Sequence, residues 1–97
     1  MAQLVRYLKG IILMDKLSSL PNVGKVLEQN LIAVGIETPQ QLREIGSKEA
    51  FVRIRLHADP GACLHMLYGI EGAVRGVRDT LLDTETKQEL RAFYNAL

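Results

Sequence analysis

The chain has 97 residues, a length that fits one domain with a short tail and excludes a two-domain enzyme. Hydrophobic residues make up 47% of it and charged residues 24%, which supplies enough apolar surface for folding and excludes disorder throughout. Twelve Lys and Arg against eleven Asp and Glu give a formal charge of +1. Because so small a charge creates no global field, any contact with nucleic acid or anionic lipid must be local.

Residues 1–16 are predicted to be an N-terminal extension, either helical or partly disordered. Its apolar residues follow helical spacing: Leu4, Val5, Leu8, Ile11 and Ile12. The stretch is shorter than the roughly 20 apolar residues of a membrane span and lacks the features of a secretory signal. We expect an extra helix or a homodimer contact; a membrane-surface helix is the less favoured alternative, because Arg6 and Lys9 are its only cations.

Residues 17–97 are predicted to form one helical domain. Asn22 can cap its first helix, and Gly35 fits the left-handed residue that ends this helix. Ile36, one position further, should then pack back on Leu31.

The next two helices are predicted from capping patterns. Thr38 followed by Pro39 begins a short second helix, which Gly46 ends. Ser47 is predicted to cap a third helix, although the alternating residues 51–55 also fit a strand; no partner strand is found, so a helix is favoured. Its inward residues are predicted to be Ala50, Phe51 and Ile54.

The longest helix is predicted to begin at Asp59 and Pro60, which repeat the cap-and-proline pattern. Three of its residues are glycines, each costing about 1 kcal/mol relative to Ala in a helix: Gly69, Gly72 and Gly76. A neighbouring segment lying flat against them would compensate, and a functional loop is the alternative. Asp83 or Thr84 begins the last helix, so the sequence predicts an all-α fold, a compact bundle of five or six short helices.

No enzymatic site, metal site or cofactor site is predicted. One cysteine and two histidines cannot complete a four-ligand zinc site, and a chain without a disulfide fits the reduced cytoplasm. Cys63 and His65 are two residues apart and face different sides of a helix, so Cys63 is interpreted as a core residue. Glu71 and Arg75 are four residues apart and should form an ion pair that orients a helix, since no second titratable group suggests acid–base catalysis.

The segment with the most chemistry is the hairpin, residues 21–25, a turn containing Pro and Gly that opens a helix. Backbone amides at such a helix start can hold an anion. Pro21, Val23 and Gly24 match the helix-hairpin-helix DNA-binding motif, in which turn amides hold backbone phosphate, while Asn22 stands at the position of its first glycine. The alternative is a purely structural entry to the helix, without phosphate.

A longer resemblance covers residues 17–97. The segments LPN-x-GK, VGI-x-T, IGSKEAF-x-R-I and LYGIEGA-x-x-G follow one another in this order. In this combination the sequence resembles the C-terminal domain of the TfoX/Sxy family, bacterial competence (DNA transformation) regulators. The resemblance implies an all-helical domain with a helix-hairpin-helix-like (SAM-like) unit, and we expect the stand-alone form of that domain.

Two functional hypotheses follow. The first is a non-enzymatic regulator that binds nucleic-acid phosphate weakly and without sequence preference, through Asn22, Val23, Gly24 and Lys25, assisted by Arg75 and Arg78. The second is a protein-interaction adaptor with a structural hairpin, whose apolar patch comes from residues 2–14 or from the glycine-lined face of the long helix.

Overall fold

The computed structural model describes residues 16–97, and its regular structure in that range is entirely helical. Five helices follow in chain order: α1 (Lys25–Ala33), α2 (Pro39–Ile45), α3 (Ser47–His57), α4 (Leu64–Arg75) and α5 (Thr84–Asn95). Two short 3-10 turns occupy Leu17–Ser19 and Asp79–Leu81. The predicted all-α bundle is confirmed for this range, while the expectations for residues 1–15 lie outside it. None of the helices within 16–97 has the length and apolarity that a membrane crossing needs.

The end of α1 follows the sequence pattern. Gly35 has a φ of 86°, and its N–H donates to the carbonyl oxygen of Ile32 at 3.0 Å. The N–H of Ile36 donates to the carbonyl oxygen of Leu31 at 2.9 Å, which completes the Schellman pattern of helix termination. Ile36 and Leu31 are both fully buried, so the turn that ends the helix also anchors it in the core.

Two helix starts also agree with their capping patterns. Thr38 Oγ1 accepts a 3.1 Å hydrogen bond from the N–H of Gln41 at the start of α2. Asp83 Oδ1 accepts an equivalent 3.1 Å bond from the N–H of Thr86 at the start of α5. Each side chain satisfies one of the amides that the first turn of a helix leaves without a partner.

Three other predicted helix starts are wrong. Gly24 rather than Asn22 precedes α1, and Gly46 rather than Ser47 precedes α3. The Oδ1 atom of Asp59 accepts from the N–H of Gly61 at 3.0 Å and closes a turn, so α4 begins only at Leu64. In each case a side chain that could have capped a helix makes another hydrogen bond instead.

The core role expected of Cys63 is wrong as well. Because α4 begins at Leu64, Cys63 occupies the position before the helix, where its side chain is exposed. The thiol therefore contributes to a surface and not to the core.

The core forms around α4, which packs against α2, α3 and α5. Phe51 of α3 is fully buried, and the ring of Tyr94 from α5 tilts against it with 5.9 Å between centroids. The largest fully buried side chains come from all parts of the described chain: Leu17, Leu31, Ile36, Leu42, Phe51, Ile54, Leu67 and Ile70. This packing fixes α4 and thereby the segments that lie on its surface.

Two carboxylates, one at the N-cap of α5 and one within the helix, are expected to make the protein less stable at acidic pH. Hydrogen bonds from the side chain and the amide of Thr86 hold the pKa of Asp83 below its ordinary value. The hydrogen bond and charge of Lys48, 2.8 Å away, likewise lower the pKa of Glu89. A lowered folded-state pKa means that the unfolded chain takes up protons first as the pH falls, so this stabilisation is complete above the ordinary pKa values and is lost below them.

Asp83→Asn tests the first of these contributions. The amide keeps an acceptor for the N–H of Thr86 but does not titrate, so the thermal midpoint of this variant should fall less than that of the wild type between about pH 5 and pH 3. Thermal unfolding followed by circular dichroism at several pH values measures the difference. Parallel curves for the two proteins would contradict the assignment, and Glu85→Gln, in the same turn of α5, controls for the loss of a carboxylate.

Candidate nucleic-acid interface

The hairpin, residues 21–25, begins with a tight turn. The N–H of Val23 donates to the carbonyl oxygen of Leu20 at 3.3 Å, with Pro21 and Asn22 between them. Asn22 has a φ of 69°, and Pro followed by a left-handed residue is the pattern of a type II turn. Asparagine adopts this conformation more readily than most residues. Val23 is nearly buried, whereas the next residue is exposed, so the turn is tied to the core on one side.

The side chain of Asn22 is directed toward α4 and the loop that follows it. Its Nδ2 donates to the carbonyl oxygens of Gly69 at 3.2 Å and Val77 at 3.0 Å. Its Oδ1 accepts from the N–H of Asp79 at 3.1 Å. The carboxamide thus joins the hairpin to α4 and to residues 77–79 through three bonds.

Two of the three glycines of the predicted long helix, Gly69 and Gly72, lie within α4 and accommodate this contact. A Cβ on Gly72 would lie 2.5 Å from Asn22 Nδ2 and 2.6 Å from the carbonyl oxygen of Val77, whereas one on Gly69 would lie 3.6 Å from Asn22 Cβ. A neighbouring segment does lie against these two glycines, but it is the hairpin with residues 77–79 and not another helix. Gly76 has a different role, because its φ of 77° ends α4. The hairpin and residues 77–79 therefore cover Gly69 and Gly72, whereas Gly76 is exposed.

The start of α1 leaves several amides without acceptors. The first helical bond of α1 runs from the N–H of Glu28 to the carbonyl oxygen of Gly24 at 3.0 Å. Within residues 16–97, no acceptor is paired with the amides of Gly24, Lys25, Val26 and Leu27. Gly24 has no side chain to cap the helix. These donors lie at the positive end of the helix dipole, where an anion is favoured.

Lys25 and Arg78 line one cleft, which we call the hairpin cleft. Its volume is about 590 Å³, and its walls come from the hairpin with the start of α1, from the start of α4, and from residues 78–79. Cys63 and His65 bring the start of α4 into this wall, and the N-cap position of α4 also has no side-chain hydrogen bond. Residues at the starts of two helices and two cations therefore line the same cleft.

The carboxylates beside this cleft have partners. Asp79 Oδ2 lies 3.5 Å from His65 Nε2. Glu28 Oε2 accepts a 3.1 Å bond from the N–H of Ser18. Asp79 itself lines the cleft, and Lys25 and Arg78 are the lysine and the arginine of its wall.

Arg75, the other predicted supporting cation, lies elsewhere. Its Nε donates to Glu71 Oε2 at 2.6 Å, and this hydrogen bond raises the pKa of Arg75 above its ordinary value. Glu71 Oε1 accepts from the hydroxyl of the buried Ser47, so Glu71 links α3 to α4. Arg75 lines a groove of about 500 Å³ beside α3 and α5 and not the hairpin cleft. The expected ion pair is present, and it leaves Arg78 as the cation that joins Lys25.

The contribution of His65 and Cys63 to the cleft was missed by sequence reasoning. Both residues fall inside the predicted long helix, and the sequence analysis assigned a binding role to neither of them. The signal that would have found them is the turn at Asp59, which delays the start of α4 until Leu64.

Comparison with known proteins gives a consistent assignment. The family model of the TfoX C-terminal domain matches residues 13–94. Protein Sxy of Escherichia coli strain K12 is 31% identical over 83 residues, which are 86% of this chain and 39% of that protein, so the chain spans about two fifths of this relative.

Two crystal structures from Listeria monocytogenes are also similar, each 52% identical to this chain. An uncharacterized protein in a triclinic form has a TM-score of 0.81, with 84% of this chain and 91% of that chain covered. A protein of unknown function in a tetragonal form has a TM-score of 0.80, with 82% and 96% covered. With the family match over residues 13–94, these likenesses agree on sequence and fold, and the chain belongs to the TfoX C-terminal domain family.

Proposed function

We propose that this chain is a regulatory domain that binds nucleic acid through its backbone phosphates at the hairpin cleft. The observation that carries the proposal is the convergence of acceptor-free amides at the start of α1 with Lys25 and Arg78 on one cleft. The resemblance of this chain to a family of competence regulators supports a regulatory and non-enzymatic role.

The chemistry of the site suits phosphate. Phosphate oxygens accept hydrogen bonds from helix N-terminal amides, and the exposed Gly24 allows the nucleic-acid backbone to come close. Lys25 supplies a point charge, and Arg78 a planar fork of donors on the same cleft. Contacts of this kind fix the position of nucleic acid but do not read its bases, so binding is independent of sequence.

The small number of cations sets the expected affinity. Two or three phosphate contacts give a log–log slope of about −2 to −3 for the salt dependence of binding to duplex DNA. Binding is therefore modest and disappears as the ionic strength rises. A much steeper slope would require a larger basic surface than the hairpin cleft.

Lys25→Glu should abolish binding of a fluorescently labelled duplex at low salt, because it places a carboxylate among the amides that would hold the phosphate. Fluorescence anisotropy measures the effect. Arg91→Glu is the matched control, since it makes the same change in net charge at an exposed position of α5 that does not line the cleft. Unaltered binding by Lys25→Glu, or an equal loss in Arg91→Glu, would eliminate the site.

A protein-interaction adaptor is the second candidate, favoured by a different surface. Leu56 at the end of α3 is 69% exposed and Leu97 is 52% exposed, and with Val52 and Arg55 they line a shallow cleft of about 230 Å³. Exposed leucines of this kind are found at protein interfaces. A pull-down that returns one defined protein, together with no shift of labelled DNA at low salt, would favour this function over phosphate binding.

A further inference from the structure

The position of Arg78 depends on the loop that carries it. Arg78 follows the left-handed Gly76 and precedes the 3-10 turn Asp79–Leu81. Its side chain is exposed, and it has no side-chain hydrogen bond or ion pair with any residue in the range 16–97. The backbone of this loop must therefore determine where the guanidinium can reach.

Asn22 holds that backbone on both sides of Arg78. Its Nδ2 donates to the carbonyl oxygen of Val77, the residue before Arg78, and its Oδ1 accepts from the N–H of Asp79, the residue after it. Lys25 follows Asn22 by three residues on the same hairpin. We propose that Asn22 is a positioning residue that sets Arg78 beside Lys25, so that both cations contact one nucleic-acid backbone; this inference rests on the proposed function.

The chemistry of the contact requires a carboxamide. The contact joins two carbonyl oxygens to a donor and one N–H to an acceptor, and the short side chain of asparagine carries both kinds of atom on the same carbon. Glycine at this position would keep the left-handed φ, but the two carbonyl oxygens and the N–H would lose their hydrogen bonds to the side chain of residue 22. Aspartate would retain the acceptor for the N–H of Asp79 while directing an oxygen at the carbonyls of Gly69 and Val77.

The binding test uses Asn22→Gly and Arg78→Ala. If Asn22 acts through Arg78, each substitution should lower the magnitude of the salt slope by about one and weaken duplex binding roughly 3- to 10-fold. The double variant should then bind no more weakly than Asn22→Gly alone, because both changes remove the same contact. Effects that add in full would overturn the inference.

A second measurement does not depend on nucleic acid. Amide hydrogen exchange of Asp79 should be slow in the wild type and fast in Asn22→Gly, while the N–H of Val23, which closes the turn, stays protected in both. Should Asn22→Gly fail to fold, Asn22→Ala serves in its place, since it keeps the Cβ of residue 22 and removes the acceptor for the N–H of Asp79. Unchanged exchange at Asp79 would overturn the positioning role whatever the outcome of DNA binding. Absence of duplex binding by the wild type with the expected exchange pattern would instead reject the proposed function and leave Asn22 as the residue that holds the loop.

Discussion

Gly72→Ala is expected to lower the free energy of unfolding by about 2–4 kcal/mol, although alanine is the better helix former. The new methyl group would lie 2.5 Å from Asn22 Nδ2 and 2.6 Å from the carbonyl oxygen of Val77. Relief of that overlap requires movement of the hairpin or of residues 77–79, and either movement weakens the three hydrogen bonds of Asn22. Urea denaturation followed by circular dichroism measures the loss.

Gly69→Ala is the matched control within the same helix. Its Cβ would lie 3.6 Å from Asn22 Cβ, an ordinary van der Waals distance. Both glycines are buried in α4, so the helix propensity term is the same in the two variants. We expect Gly69→Ala to leave stability unchanged or to raise it by up to about 1 kcal/mol. Similar losses in the two variants would show that the hairpin does not pack on Gly72 as described.

Helix ends that depend on neighbouring residues could be predicted from the sequence. Gly35, Thr38 and Asp83 each act within four residues of their partners, so a local pattern contains all the information that determines them. The inward residues of α3 could be predicted for a similar reason, since helical periodicity identifies the buried face. These local signals were sufficient for the all-α fold.

Two of the three wrong helix starts involve a capping residue that has a distant partner. Asn22 bonds to groups 47 to 57 residues away, and Ser47 bonds to Glu71, 24 residues away. Both residue types are good helix caps, and the sequence alone does not reveal that a tertiary contact competes for the side chain. The local rule therefore predicted Asn22 and Ser47 as helix caps, whereas the residues at the cap positions are Gly24 and Gly46.

The candidate site was only partly predictable for the same reason. Pro and Gly locate the hairpin and its free amides, because helix starts of this kind have a sequence pattern. Arg75 and Arg78 are three residues apart and would share a face if the helix continued through both. The helix ends at Arg75, and Gly76 redirects the chain, so only Arg78 reaches the hairpin cleft. The choice between the two arginines depends on where a helix stops, which periodicity does not define.

Glu71→Ala is expected to cost about 2–3 kcal/mol of unfolding free energy. Most of this comes from Ser47, whose buried hydroxyl loses its acceptor. Loss of the bond to Arg75 adds less, because the arginine side chain is 47% exposed and solvent screens the pair. Glu71→Gln keeps an acceptor for the hydroxyl and should cost only about 1 kcal/mol, so the two variants separate hydrogen bonding from charge.

A double-mutant cycle with Ser47→Ala assigns the energy to this contact. If the hydroxyl donates to Glu71, the double variant should be more stable than the sum of the single losses predicts, by about 1 kcal/mol. The reason is that Ser47→Ala removes the donor that Glu71→Ala would otherwise leave buried without a partner. Urea denaturation of the four proteins gives the coupling free energy. Strict additivity would mean that the Ser47–Glu71 bond does not stabilise the packing of α3 on α4, and that this packing depends on the apolar contacts between the two helices.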